Sequence, residues 1–497
     1  MGDAVSRERY TPRERTDYRR ELNDDLETFD AYLQQAEFVS RGTIGMELEL
    51  NLVDEQMAPA PVNLDVLKTL DDADFQSEIG SFNFEMNHPV LSVEGDGLRE
   101  LEDGLRERLD RAAAAAVQHN SSVAMIGTLP TLTEQFLESL EWITPENRYK
   151  ALSNAVMDSR GELVTIDLAD REVLNHDFED IAPESSCTSM QLHLQVSPER
   201  FAEAWNASQA IAGVQAALSA NSPLFLGRKV WHESRIPVFA QAIETRPPEL
   251  IAQGVRPRVW FGERWITSIF DLFEENVRYF PALLPESREE SGSPIMRGEA
   301  PALHYLNLHN GTVWRWNRPI YAPSSDGLAH VRVENRLLPA GPTVVDMVAD
   351  AALYYGLVKF LGEQTRPVWS RLPFKTAEKN FMTAARSGLY ARQEWPTLGA
   401  IDVAKLVHEH LVPQARRGLE KLGVNEKLID RYMGIIDGRA VGRQNGALWQ
   451  LRTLSNIRPK KAAPGSPERQ KALALMLKQY MENQAKGEPV HTWEIGE

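Results

Sequence analysis

The run Gly45-Met-Glu-Leu-Glu-Leu-Asn51 carries two acids on a strictly alternating pattern. Ile44, Met46, Leu48, Leu50 and Leu52 fall on one side, and Thr43, Gly45, Glu47, Glu49 and Asn51 on the other. Alternation of this length predicts a β-strand with one buried face. Glu47 and Glu49 then stand ~7 Å apart on the other face. Two carboxylates so placed raise each other's energy, and a cation between them removes the penalty. Three more segments repeat the pattern. Ser189–Val196 sets Gln191, His193 and Gln195 against Met190, Leu192, Leu194 and Val196. Ser81–Asn87 sets Asn83 and Glu85 against Phe82, Phe84 and Met86. His330–Arg336 sets Arg332, Glu334 and Arg336 against Val331, Val333 and Asn335. Any one of these reads as a half-exposed strand of an antiparallel sheet. The four together, short of Lys and Thr and rich in Glu, His, Gln, Asn and Arg, point to a common polar cavity.

Glu47, Glu49, Glu85 and Glu334 are acids on predicted strands, with Glu78 close by. A carboxylate-rich site without cysteine suits a hard divalent cation, Mg²⁺ or Mn²⁺, and Mg²⁺ typically serves substrate phosphates. Arg332 and Arg336 are suited to gripping those phosphate oxygens in pairs. His193 fits either a metal or a substrate. No Walker A sequence is present, so a nucleotide is not expected in a P-loop. Trp260, Tyr305, Trp314 and Trp316 read as core rather than as a stacking platform. Cys187 reads equally as a packed small residue or a reactive one.

The elements that position these groups are legible along the chain. Residues 1–14 read as a mobile polar tail, and Leu22, Leu26, Phe29, Leu33 and Ala36 as a helical stripe. A long helix is expected from Leu98 to Val117, another starting at Pro145–Lys150, and a strong one over Pro198–Ala220. Pro281–Pro301 reads as a long irregular loop, and Leu303–Trp316 as strand-like. Thr343 opens an apolar helix to Phe360, and from about Pro373 the pattern is mostly helical.

Composition narrows the class. The 497 residues are 42% hydrophobic and 25% charged, an ordinary globular balance. A net charge of −17 argues against nucleic acid or an anionic membrane as partner. A single cysteine leaves no intrachain disulfide framework or cysteine zinc site and fits a reducing compartment. With a polar start and no long apolar run, a cytoplasmic protein acting on small molecules is expected.

Several segments, in order, resemble the glutamate–cysteine ligase family, including its bacterial carboxylate–amine ligase branch. They are Gly45–Leu50, Glu78–Pro89, Asn147–Lys150, Cys187–Val196 with Ala220–Pro223, Val313–Pro319 and Val331–Arg336. The resemblance covers roughly residues 42 to 345 and implies an α+β fold. That fold is a curved antiparallel sheet funnel of the glutamine-synthetase type with helices packed outside. It assigns residues 15–375 to the catalytic domain and leaves 376–497 as a C-terminal helical extension without a counterpart. It implies ATP and two or three Mg²⁺ ions, phosphorylation of a carboxylate, typically the γ-carboxylate of L-glutamate, and attack by an amine, typically that of cysteine. By resemblance, Glu47, Glu49, Glu78, Glu85 and Glu334 are metal ligands, and Arg332 and Arg336 hold the ATP phosphates. Glu334 and Arg336 are then the catalytic pair, and Arg148, Gln191, His193 and Arg318 contact substrate. Gln191 and Gln195 stand where many relatives carry a second His or an Asn, which bears on the choice of amine and acid. A phosphotransferase without an amine step and a non-catalytic binding module are the alternatives.

Overall fold

A computed structural model describes residues 8–286, 299–324, 327–457 and 462–496. The first seven residues of the expected tail and most of the Pro281–Pro301 segment lie outside the described residues. The first helix, Pro12–Gln35, begins inside the stretch read as tail. Thr11 and Glu14 form a reciprocal capping box there, and Pro12 occupies the first helical turn. Such a start is stable without apolar residues of its own.

The four alternating segments fall side by side in one curled antiparallel sheet. Its strands are β1 (Thr43–Val53), β2 (Phe75–Ser77), β3 (Asn83–Ser92), β4 (Ser122–Ala124), β5 (Ser189–Val196), β6 (Asn317–Pro323) and β7 (Ala329–Pro339). They run in the order β6-β7-β5-β1-β3-β2, with β4 beside the far end of β1. Glu49 lies opposite Glu85, Glu47 opposite Gln191, and Glu334 opposite His193. The register therefore sets the polar faces of β7, β5, β1 and β3 in one continuous row.

The other face is apolar and fully covered. Leu48, Leu50, Phe84, Met86, Met190, Leu192, Val331 and Val333 are all buried. The helix Pro198–Ser219 packs on β7, and the helix Val344–Gly362 packs on β5 and on Pro198–Ser219. Both are apolar on nearly every side, as expected of helices with no face left for water. Thr343 caps the second, its hydroxyl accepting from Asp346 N at 3.2 Å. The helices after residue 373 share this core, which runs without a break from Tyr18 to Trp493. Val344–Gly362 and Val412–Lys421 cross at Gly356 and Gly418, so closely that a Cβ on Gly418 would lie 1.8 Å from the Gly356 carbonyl oxygen. Among the described residues no helix is long and apolar enough to cross a membrane.

One element differs in kind from expectation. His304–Asn310 is helical, and only Trp314–Arg315 of the strand-like stretch is extended. Six of its seven residues are buried, so its polar and apolar positions do not report a water-facing side.

Candidate active site

The polar face of the sheet lines a cavity of about 370 Å³. Two groups of metal-type donors share it. Glu49, Glu78 and Glu85 bring carboxylate oxygens within 4.8 Å of one another, and Glu47, His193 and Glu334 do the same with two oxygens and a ring nitrogen. Strand pairing builds the groups: β1 supplies Glu47 and Glu49, β3 Glu85, β5 His193 and β7 Glu334. Glu78 follows directly on β2 and reaches the first group from the end of that strand.

The electrostatics differ between the groups. Burial, with the charges of Glu47 and Glu78, pushes the Glu85 carboxyl well above its usual range. Burial and Glu49 push Glu78 up to about 7. Glu49 is also raised by burial, although Arg336 and Arg235 oppose this. Three acids that resist sharing charge form a site short of one cation. In the second group burial also pushes up, but cationic neighbours prevail. His193 draws Glu47 down to about 2, and Arg318, Arg336 and His193 hold Glu334 well below the carboxylate range.

His193 supplies a test of fit for a metal. Its Nε2 lies 3.0 Å from Glu47 Oε1, a close pair within the second donor group. The pair converges with Glu334 in one donor group, so the chemistry of the donor set decides the fit. The all-carboxylate group of Glu49, Glu78 and Glu85 suits Mg²⁺ or Mn²⁺, so these residues fit the expected ion. The residue type left His193 to a metal or a substrate and the resemblance gave it to the substrate; in the structure it stands beside Glu47 and Glu334. Arg332 Nε donates to its Nδ1 at 2.9 Å and fixes the ring.

The arginines divide by commitment. Arg318 Nε and Nη2 both donate to Glu334, the latter at 2.9 Å, so this expected substrate contact is engaged with an acid. Arg336 Nη1 bridges Gln191 Oε1 and Glu334 Oε1, the latter at 3.2 Å. Its position depends on an irregularity: β7 slips register against β5 between Asn335 and Leu338. Leu337 and Leu338 are both fully buried as a result, and the doubled leucine is the trace of this bulge in the sequence. Gln191 turns its amide nitrogen to Glu49 Oε1 at 2.9 Å, and so links the two donor groups through Arg336. Arg148 lines the cavity from the first turn of the helix Asn147–Arg160, close enough to Glu78 to act on its charge and 4.8 Å over the Tyr149 ring.

A family model, glutamate–cysteine ligase family 2, matches residues 43–438. The chain belongs to glutamate–cysteine ligase family 2. No curated protein sequence matches it. Among solved structures it is similar to a glutamate–cysteine ligase from Francisella tularensis in complex with AMP, at 10% identity and a TM-score of 0.52. That match covers 92% of this chain and 96% of the other. It is also similar to a bifunctional glutathione synthetase from Pasteurella multocida, at 10% identity and a TM-score of 0.52. There 93% of this chain is covered but only 53% of the longer protein. At these identities the two structures speak for the fold, and they agree with the expected α+β funnel.

The glutamate–cysteine ligase family member is a carbon–nitrogen ligase. Its cavity holds residues that the sequence did not single out. Arg235 is buried with its guanidinium on Glu233 and the carbonyls of Leu337 and Leu338. Arg315 is clamped by Glu275 and Asn276, both at 3.0 Å, with its Nη1 unpartnered. Trp316 is buried in the core as expected, with Trp314 half-buried against it, and both also border the cavity. Glu184 lines it from a turn of 3-10 helix. Arg315 lies inside the run read as strand-like, Arg235 in a stretch given no element, and Glu184 in a turn, where no pattern marks a site residue. Cys187 is also in the wall, but burial pushes its thiol up, away from the reactive form.

Proposed function

We propose that this ligase uses ATP and Mg²⁺ to phosphorylate a carboxylate, the γ-carboxylate of L-glutamate, and then joins it to an amine with release of ADP and phosphate. The observation that carries the reading is the pair of donor groups side by side on one sheet face, bordered by Arg332 and Arg336. The AMP held by the Francisella ligase supports a nucleotide in a fold of this type. Glu49, Glu78 and Glu85 would hold one Mg²⁺, and Glu47, His193 and Glu334 another. Bound there, the ions would neutralise phosphate oxygens as charge moves between them.

The chain's own groups do the rest. Arg336 is held by Gln191 and Glu334 with no freedom to swing away, and it presents a fixed positive charge to a phosphoryl group in transfer. Arg332, anchored on His193, offers its remaining donors to phosphate oxygens. Arg318 neutralises Glu334 from behind. Arg148, with no hydrogen bond of its own among the described residues, is available to a substrate carboxylate.

The test is a screen of acids against amines with ATP and Mg²⁺, reading ADP and product. ADP release that needs both an acid and an amine is expected, with L-glutamate the preferred acid. ADP release with the acid alone, and hydroxamate as the sole coupled product whatever amine is offered, would instead indicate a phosphotransferase.

A further inference from the structure

Glu184 belongs to neither donor group, yet it lies in the cavity wall. Its turn, Ala182–Ser186, packs against the helix Arg235–Ala242 and brings Glu184 to the same wall as Cys187 and Phe239. Cys187 marks the junction, its Sγ 3.9 Å from Pro183 O and 3.8 Å from Arg235 O. Phe239 meets Trp314 edge-on, with ring centroids 6.4 Å apart. Glu184 thus shares the cavity lining with an aromatic surface and a thiol, and it stands outside both donor groups although Glu78 and Glu49 are its charged neighbours.

Glu184 Oε2 is sealed from solvent and accepts no hydrogen bond. Leaving such an atom unpaired costs about 1–3 kcal/mol. The basic group across the junction, Arg235, is already taken by Glu233 and two carbonyls. The missing partner is then a cation that comes with a substrate. We propose that Glu184 receives the ammonium group of the acceptor amine and takes from it the proton that must leave before the nitrogen can attack. This rests on the ligase reading and adds the class of acceptor: a primary amine bound as its ammonium ion, with an apolar body against Phe239 and Trp314.

The step balances. An ammonium has no lone pair, and transfer of one proton to Glu184 frees one. The nitrogen attacks the carbonyl carbon of the acyl phosphate and the C–N bond forms. The C–O bond to phosphate breaks, and its electron pair leaves with the phosphate. The second surplus nitrogen proton leaves on that phosphate, and Glu184 returns its own to solvent. Burial, then the Glu78 and Glu49 charges, push the Glu184 carboxyl up to about 8, with Arg336 opposing. Arg235 is the charged group on the packed helix, and the Cys187 thiol is kept protonated by burial. A carboxylate placed beside the ammonium is positioned to take its proton.

The full-length enzyme is assayed with ATP, Mg²⁺ and L-glutamate. Hydroxylamine, uncharged at neutral pH, is compared with three ammonium acceptors: L-2-aminobutyrate, L-cysteine and ethylamine. Glu184→Gln is expected to lower kcat/KM for the ammonium acceptors about 100-fold, at least ~10-fold more than for hydroxylamine, with Glu184→Asp recovering part of the loss. In the wild type, kcat/KM for the amine levels off once Glu184 is ionised. In Glu184→Gln it keeps rising with the free-amine fraction. Equal losses for every acceptor overturn the proposal, as does wild-type turnover of hydroxylamine alone. If the variant fails to fold, the wild-type profile decides, and a rise that follows the amine's own ionisation overturns it. No ADP release by the wild type with L-glutamate and hydroxylamine is a different result: it removes the ligase reading on L-glutamate, and the Glu184 assignment with it.

Discussion

Glu49 divides its two oxygens between neighbours, with Oε1 accepting from Gln191 Nε2 at 2.9 Å and Oε2 from Ser189 N at 2.6 Å. Glu49→Gln keeps the shape but removes the charge from a three-acid group. ADP formation is expected to fall about 100- to 1,000-fold, with the melting temperature and far-UV dichroism retained. Turnover within a few-fold of wild type would remove the metal assignment. The same group predicts a pH dependence. The folded-state values of Glu78 and Glu85 are raised, Glu78 from 4.5 to about 7. Across that window the folded chain holds protons that the unfolded chain has released, so these acids make the metal-free protein less stable as pH rises. Mg²⁺ reverses their penalty only where they are ionised, so its gain in melting temperature should grow from about pH 5 to about pH 8. A gain independent of pH, or none after chelation and re-addition, would contradict this. The acids on strands were legible because alternation assigns them a face. Glu184 was not, because a turn has no periodicity and its missing hydrogen bond exists only in three dimensions.

At the scale of elements, what positions the site is the apolar side of its own strands. Leu48 stands between Glu47 and Glu49 on the opposite face and is fully buried. Leu48→Ala should cost about 2–5 kcal/mol, read as a lower denaturation midpoint, while ADP formation per folded molecule stays within a few-fold. A stability change under ~1 kcal/mol would mean that the sheet is not packed behind the acids as described. Strands that divide a wet face from a dry one were readable from β1, β3, β5 and β7 alone. His304–Asn310 was not, since its polar residues are buried along with its apolar ones, and their mixture imitates the alternation of a strand. The bulge in β7 lies between these cases. Leu337-Leu338 breaks the alternation visibly, but only the pairing with β5 shows that the break carries Arg336 to Gln191.

At the scale of the molecule, the composition change near residue 373 coincides with no gap in the core. The buried Arg439 joins the two parts: Nη1 donates to Asp350 at 2.7 Å and Nη2 to Asp346 at 3.1 Å, both acids on the helix behind the sheet. Asp346 Oδ2 also accepts from Val490 N at 2.9 Å and from the Thr343 hydroxyl at 2.7 Å. One acid thus ties a helix cap, a distant arginine and the C-terminal segment together. Arg439→Met leaves two buried carboxylates without their cation, and breaking such a pair from one side costs about 3–5 kcal/mol. Since the charge network and the core both span the composition change, the loss should fall on the whole chain. Calorimetry is expected to show one melting event shifted downward, with the Mg²⁺-dependent gain still present at low temperature. Two separated events, the lower one confined to the tryptophans Trp449 and Trp493, would show instead that residues 376–497 melt as a unit of their own, attached to the catalytic sheet rather than built into it.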